Sequence, residues 1–149
     1  MKDRKCCLLI GNSRWHWAIK SNGIWHFSHT TPEPQRIASL DIPLMTWAAV
    51  GPLPTEIALN PDKCLAIKNI PLKNLPPWLG VDRALAGWGA LKKAESEGLS
   101  SYGVLVADAG TVLSLTRITA HGEFAGGQLI AGLNLQLSAM ANGAKSLNN

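Results

Sequence analysis

Apolar and polar residues alternate along the first thirty residues in the pattern of β-strands. Residues 5–10 form a mostly apolar run, and residues 15–20 then alternate between large apolar and polar side chains. Asn22-Gly23 follows, a pair typical of a two-residue hairpin turn, before a third extended segment at 24–29. The pattern therefore predicts a three-stranded antiparallel meander at the start of the chain.

The middle of the chain is dominated by proline. All nine prolines fall between residues 31 and 80, so only short elements are expected there, at 34–39, 44–50 and 64–70. From Val81 to Glu97, apolar side chains recur at helical spacing, and Gly98 is placed to end the segment. The pattern therefore predicts a helix over 81–97.

The segment after this helix repeats the order of elements seen at the start. Three strands are predicted again, at 102–107, 112–119 and 123–130. One constant offset places Gly11 on Gly110 and the Asn22-Gly23 turn on His121-Gly122. We interpret the similarity as an internal duplication, in which the second copy ends near its middle in a helix-like stretch.

The amino-acid composition is typical of a globular protein. The 149 residues are 46% hydrophobic and 16% charged, which excludes a disordered or coiled-coil protein. A chain of this length can bury one core without a disulfide or metal ion to hold it together. No apolar run approaches the roughly 20 residues of a membrane-spanning helix, and the short run after the basic N-terminus does not resemble a secretory signal.

Charge and cysteine content indicate which binding partners and which cellular compartment to expect. The formal net charge is +4, but the basic residues occur singly or in pairs, a distribution that fits any anionic small molecule. We therefore expect neither a nucleic-acid partner nor a membrane. The three cysteines form no CxxC pair and no cluster with histidine, so neither a disulfide framework nor a zinc site is predicted. A cytoplasmic location fits best.

Two glycine-containing turns are candidates for binding phosphate. Gly11-Asn12-Ser13 and Asp108-Ala109-Gly110-Thr111 each follow a predicted strand and offer successive backbone N–H groups and a hydroxyl to an anion. Small residues are needed there because the backbone itself must approach the phosphate oxygens. A neighbouring acid can hold a cation that neutralises phosphate charge. The alternative is an ordinary β-turn without a ligand, since the same residue types dominate turns.

The start of the predicted helix is a third candidate. Asp82 suits the N-terminal turn of a helix, where carboxylates are favourable, but it also suits the role of a general base. Arg83 opposes the helix dipole at a cost of about 0.3–1 kcal/mol unless a partner or an anionic ligand offsets it. An acid beside an anion-binding arginine is a pairing used in phosphoryl transfer.

The remaining candidates have simpler interpretations. Trp15, Trp17 and Trp25 lie in alternating strands, so a core or interface role is expected rather than stacking on bases. Gly126-Gly127 is interpreted as a site of close backbone packing. The four histidines have no metal-like spacing and are expected to lie in turns or on the surface: His16, His26, His29 and His121.

Taken in order, four short motifs resemble those of a known family, the type III pantothenate kinases. They are Ile-Gly-Asn-Ser at 10–13, Leu-Gly-Val-Asp-Arg at 79–83, Asp-Ala-Gly-Thr at 108–111 and Gly-Gly-Gln-Leu-Ile-Ala-Gly at 126–132. Singly each motif is weak, but the ordered set is quite specific. The resemblance implies an α/β chain with a duplicated actin-like (ribonuclease H-like) kinase fold. Its first lobe would span 1–100, and an incomplete second lobe would begin over 101–149.

The resemblance also implies an activity and its residues. The family phosphorylates pantothenate to phosphopantothenate with Mg·ATP, the first step of coenzyme A biosynthesis, and its members are homodimers. ATP phosphates would rest on two turns, formed by Ile10, Gly11, Asn12 and Ser13 and by Gly110 and Thr111. Asp108 would help hold a monovalent cation, K⁺ or NH₄⁺. Pantothenate would contact Gly80, Val81, Asp82 and Arg83, with Asp82 as the general base.

This chain departs from the family pattern at three places. Leu9 stands where the first phosphate loop has an aspartate, and Ala131 replaces a proline. The later threonine-containing substrate motif of the family has no counterpart before Asn149. Two alternatives therefore stay open beside the kinase. One is a truncated relative that binds ligand without turnover, and the other is a transcription-regulatory protein of the same fold family.

Overall fold

The computed structural model describes residues 4–144, which form a mixed α/β chain with two β-sheets and three α-helices. These residues divide into two compact units. The first consists of residues 4–70 with 78–82, and the second of residues 71–77 with 83–144. The two expected lobes, 1–100 and 101–149, were defined by the sequence repeat, whereas these two units are defined by compactness. The expected lobe boundary therefore stays a prediction.

The first unit is built on a four-stranded sheet. Its strands are β1 (Lys5–Ile10), β2 (Trp15–Ser21), β3 (Ile24–Thr30) and β4 (Leu44–Ala49). They lie in the order β3-β2-β1-β4, with β4 parallel to β1 and the other pairs antiparallel. Asn22 and Gly23 both adopt positive φ, at 52° and 80°, as the favoured two-residue hairpin turn requires. The predicted meander is confirmed.

One face of this sheet carries the core of the first unit. Trp15 and Trp17 point into it and are almost fully buried, as expected. The short helix α1 (Pro34–Ala38) adds Ile37 to this core and places the Arg36 guanidinium 4.6 Å from the centre of the Trp17 ring. Trp25 is 39% exposed on the edge strand, opposite Lys20, so it lies outside the core, and its expected alternative role at an interface stays a prediction.

The predicted long helix is confirmed as α2 (Val81–Ser96). It ends as its sequence indicates, because Gly98 adopts a φ of 71°. The Leu99 N–H donates to the Ala94 carbonyl, and the Gly98 N–H donates to the Glu95 carbonyl. These two hydrogen bonds form a Schellman motif, which satisfies carbonyls at the end of the helix.

The second unit contains an antiparallel three-stranded sheet followed by a helix. Its strands, in spatial order, are β5 (Val104–Ala109), β6 (Val112–Ile118) and β7 (Phe124–Ala131), and the helix is α3 (Leu133–Gly143). Asp108 and Ala109 lie within β5, because they pair with Ser114 and Leu113 of β6. The turn is therefore shorter than predicted and consists of Gly110-Thr111.

Both sheets contain three consecutive antiparallel strands in the same order. Each has a positive-φ glycine in its second hairpin, Gly23 in the first unit and Gly122 in the second.

Among residues 4–144, every helix is too short or too polar to cross a lipid bilayer. Apolar side chains of α3 are exposed, with Leu133 at 70% and Met140 at 55%.

Candidate functional site

The first candidate phosphate loop connects β1 to β2. Its ends are joined by a hydrogen bond of 3.0 Å from the Gly11 N–H to the Arg14 carbonyl. A Cβ atom at Gly11 would lie 2.6 Å from that carbonyl oxygen, so only glycine fits this position. Asn12 and Ser13 form the exposed tip. The tip of the loop is thus open to solvent, as an anion-binding turn must be.

A second glycine, two residues after the end of β4, supports this loop. The N–H groups of Val50 and Gly51 both donate to the Ile10 carbonyl, at 2.9 and 3.2 Å. A Cβ atom at Gly51 would collide with the Gly11 carbonyl oxygen. Sequence reasoning missed Gly51, although a glycine placed directly after a predicted strand was a signal that could have found it.

Leu9 lies where the family pattern has an acid. It is the penultimate residue of β1, is half-buried, and pairs directly with His16 of β2. The side chain supplies no ligand for a cation, so this part of the first unit differs chemically from the motif it resembles.

The thiols of β1 add no reactive group. The pKa of Cys6 is raised to about 11, mainly by burial and also by the neighbouring Cys7, while Arg36 acts in the opposite direction. Burial also raises the pKa of Cys7. Both side chains therefore remain neutral thiols near pH 7, and Cys6, Cys7 and Cys64 are all free, as the sequence predicts.

The second candidate loop, Gly110-Thr111, has a similar support. The Gly110 N–H donates to the Val112 carbonyl at 3.2 Å, and the Gly132 N–H donates to the Thr111 carbonyl at 3.0 Å. A Cβ atom at Gly132 would collide with the Gly110 carbonyl oxygen. Asp108 is exposed near this loop and pairs across the sheet with Ser114. The second unit thus brings an acid, a backbone turn and a supporting glycine together.

Gly80 and Asp82 lie at the start of α2, within the first unit. Asp82 is partly exposed, and one of its carboxylate oxygens folds back against Gly80, where a Cβ atom would collide with it. An open, mostly apolar depression of about 610 Å³ lies beside this turn. Its walls include Trp47, Leu53, Cys64, Leu79, Gly80 and Val81.

Arg83 has partners within the second unit. Its Nε donates to the Thr116 hydroxyl at 3.0 Å, and its Nη2 donates to the Leu115 carbonyl at 2.8 Å. Gly127 makes room for this contact, since a Cβ atom there would lie 2.7 Å from Nη2. The close-packing interpretation is confirmed for Gly127 and is wrong for Gly126, which has open space around its Cα and a positive φ of 100° instead. These protein partners offset the dipole penalty of an arginine in the first helical turn.

The predicted site residues therefore fall into separate groups. In the first unit, the loop 10–13 lies against Gly51, and Gly80, Val81 and Asp82 lie at or beside the depression. In the second, Asp108, Gly110 and Thr111 lie near Gly132. Within the described residues, 4–144, no three histidine, cysteine or acidic side chains converge as a metal site. All four histidines are exposed, as expected.

Comparison with known proteins gives a consistent result. Residues 57–149 match the family model described as type III pantothenate kinase. The chain is 40% identical over 141 residues to the type III pantothenate kinase of Thermosynechococcus vestitus and 38% identical over 142 residues to that of Synechocystis sp.. It is 33% identical over 162 residues to that of Synechococcus elongatus.

These alignments cover most of this chain but only part of the relatives. They include 91% of the chain for the first two relatives and 94% for the third. The covered shares of the relatives themselves are 52%, 52% and 61%. The chain therefore spans little more than half the length of the curated relatives that it matches.

Proposed function

This chain belongs to the type III pantothenate kinase family, and we propose that it serves the ATP-dependent phosphorylation of pantothenate to phosphopantothenate, the first step of coenzyme A biosynthesis. One observation carries the proposal. Each unit presents a glycine turn after its first strand, at Gly11 and at Gly110, and each turn is closely supported by a second glycine. Such exposed backbone turns suit the phosphates of a nucleotide.

In this proposal, ATP phosphates bind to the turns at 10–13 and 110–111. The Gly11 and Gly110 N–H groups donate within the turns, so the other backbone N–H groups and the hydroxyls donate to phosphate oxygens. Mg²⁺ accompanies ATP and neutralises its charge. Asp108 holds a monovalent cation, K⁺ or NH₄⁺, for which an exposed carboxylate offers oxygen ligands. The chemical demand on the protein is small, because positioning and charge neutralisation provide most of the rate acceleration in such transfers.

Asp82 acts as the general base of the reaction. Gly80, Val81, Asp82 and Arg83 contact pantothenate and orient its primary alcohol. The Asp82 carboxylate takes the alcohol proton while the alcohol oxygen bonds to the γ-phosphorus of ATP. The bond from that phosphorus to the β–γ bridging oxygen breaks, and ADP leaves.

The proposal includes the architecture and assembly that the family implies. The two similar strand orders support a duplicated actin-like fold, with one lobe over 1–100 and the start of a second over 101–149. A homodimer and a cytoplasmic location belong to the same proposal.

Leu9 favours one alternative, a chain that binds nucleotide without turnover, because it removes an acid from the first loop. The regulatory alternative gains no support from the relatives reported above, which are all named for the kinase. DNA binding that weakens as salt increases would revive it.

Direct detection of phosphopantothenate tests the proposal. Pantothenate, Mg·ATP and K⁺ are supplied to the 149-residue chain, to Asp82→Asn, and to Asp62→Asn as a control at an exposed acid elsewhere. We expect product from the parent and Asp62→Asn, and a loss of about 10²-fold or more in Asp82→Asn with nucleotide affinity retained.

Two other results have distinct meanings. Equal product from all three chains would remove Asp82 from the role of base. Nucleotide binding without product from the parent chain would identify the non-catalytic alternative. Calorimetric titration with ADP distinguishes these results from a failure to bind nucleotide at all.

A further inference from the structure

Two exposed histidines lie directly opposite each other on neighbouring strands. His16 of β2 pairs with His29 of β3, and their ring centres are 6.1 Å apart with the planes inclined by 50°. Neighbouring residues of β2, Trp15 and Trp17, point into the core, so alternation places His16 on the other face of the sheet. The two imidazoles therefore share an open surface.

We propose that His16 and His29 form a binding site for a divalent late transition metal ion such as Zn²⁺ or Ni²⁺. Directly opposed residues have Cβ atoms about 4.5–5.5 Å apart. A metal–imidazole bond is about 2.0–2.1 Å, so rotation of these exposed side chains can bring one nitrogen of each ring to the same ion. The paired strands fix both backbones, which reduces the entropy lost when the ion binds.

The surroundings select the class of ion. The sequence from residue 4 to residue 30 contains no aspartate or glutamate, so β1, β2 and β3 offer no carboxylate to hard cations such as Mg²⁺. Imidazole nitrogen suits zinc, nickel and copper. Cys7 lies opposite Ala18, whereas the residue of β1 opposite His16 is Leu9, which has no ligand atom. The protein thus supplies two ligands, and water completes the coordination.

The location of the pair leaves room for these waters. The His16 ring lies beside the first loop, with its Cδ2 atom 3.9 Å from where a Cβ of Gly11 would be. This metal site does not rest on the proposed function, because its two ligands belong to neither the general base nor the substrate motif.

Isothermal titration of NiCl₂ and ZnCl₂ into the tag-free 149-residue chain tests the proposal. The variants are His16→Ala and His29→Ala. His26→Ala is the matched control, because His26 is also exposed on β3 but lies on the opposite face, paired with Ile19. We expect the parent chain and His26→Ala each to bind one ion of Ni²⁺ or Zn²⁺. The affinity of His16→Ala and of His29→Ala for these ions should be lower than that of the parent by about tenfold or more. The pair should not bind Mg²⁺.

Thermal unfolding with and without the metal provides a second readout. Binding to the folded chain raises the melting temperature of the parent and of His26→Ala, but not of the test variants. His29→Gln repeats the test with a polar side chain, should an alanine variant fold poorly. The proposal is overturned if His26→Ala loses as much affinity as the test variants, if the test variants bind as the parent does, or if Cys7→Ser alone abolishes binding.

Discussion

Neighbouring residues at the start of α2 have different surroundings. Both Asp82 and Arg83 were expected to face the substrate. The structure gives Asp82 a place beside an open depression, and it gives Arg83 hydrogen bonds to Thr116 and Leu115 of β6. Sequence alone could not show these partners, because they lie more than thirty residues further along the chain. The substrate role of Arg83 stays a prediction.

Replacement of Arg83 should reduce stability in the absence of any ligand. Arg83→Ala removes the donors to the buried Thr116 hydroxyl and the Leu115 carbonyl, and hydrogen bonds to charged groups contribute about 1.5–3 kcal/mol. We expect the free energy of unfolding to fall by about this amount in urea denaturation. Arg117→Ala, which alters an exposed arginine of β6, is the control. Equal stability of Arg83→Ala and the parent would show that water replaces the lost donors.

Among the helices, strands and turns, the sequence predicts well those elements whose conformation depends on residues within the same short segment. The first hairpin needs only Asn22-Gly23, and the end of α2 needs only Gly98. The sequence predicts that β5 ends before Asp108, because Asp-Ala-Gly-Thr is typical of a turn, whereas pairing with β6 makes Asp108 and Ala109 part of the strand. Gly51 follows a predicted strand directly, but the requirement for glycine there comes from the carbonyl of Gly11, in the loop after another strand.

Two glycines of α2 should respond oppositely to alanine. Gly89 has open space around its Cα, so Gly89→Ala should raise the free energy of unfolding by about 0.5–1 kcal/mol. A Cβ atom at Gly87 would lie 2.8 Å from Cγ1 of the buried Ile118. Overpacking costs about 1–3 kcal/mol, so Gly87→Ala should be destabilising overall. Chemical denaturation of the two variants compares them, and a stabilised Gly87→Ala would show that Ile118 can move aside.

At the scale of the whole molecule, the order of motifs carries more information than the composition. Charge and hydropathy indicate a globular chain, whereas four motifs in sequence predict the family to which it belongs. Composition could not predict which apolar residues stay exposed. Four large side chains of α3 are exposed, and they are Leu133, Leu135, Leu137 and Met140.

This exposed apolar surface should make the 149-residue chain associate as its concentration rises. Leu137→Glu with Met140→Glu should lower the weight-average mass measured by sedimentation equilibrium, because charge opposes contact between apolar surfaces. Tyr102→Glu, which alters an exposed ring outside α3, is the control. A mass that stays monomeric at all concentrations in the parent would contradict the prediction.

The supporting glycines have a consequence for how this protein can evolve. The shape of the first loop depends on the close approach of Gly51 to Gly11, and that of the second on Gly132 against Gly110. Neither contact involves the side chain of Leu9 or Asp108. Substitutions at residues 9 and 108 can therefore add or remove an acid while the loops keep their form, so the chemistry of the proposed function can change by single substitutions. The glycines themselves have no such freedom, so selection for folding alone would preserve them even where the proposed activity had been lost.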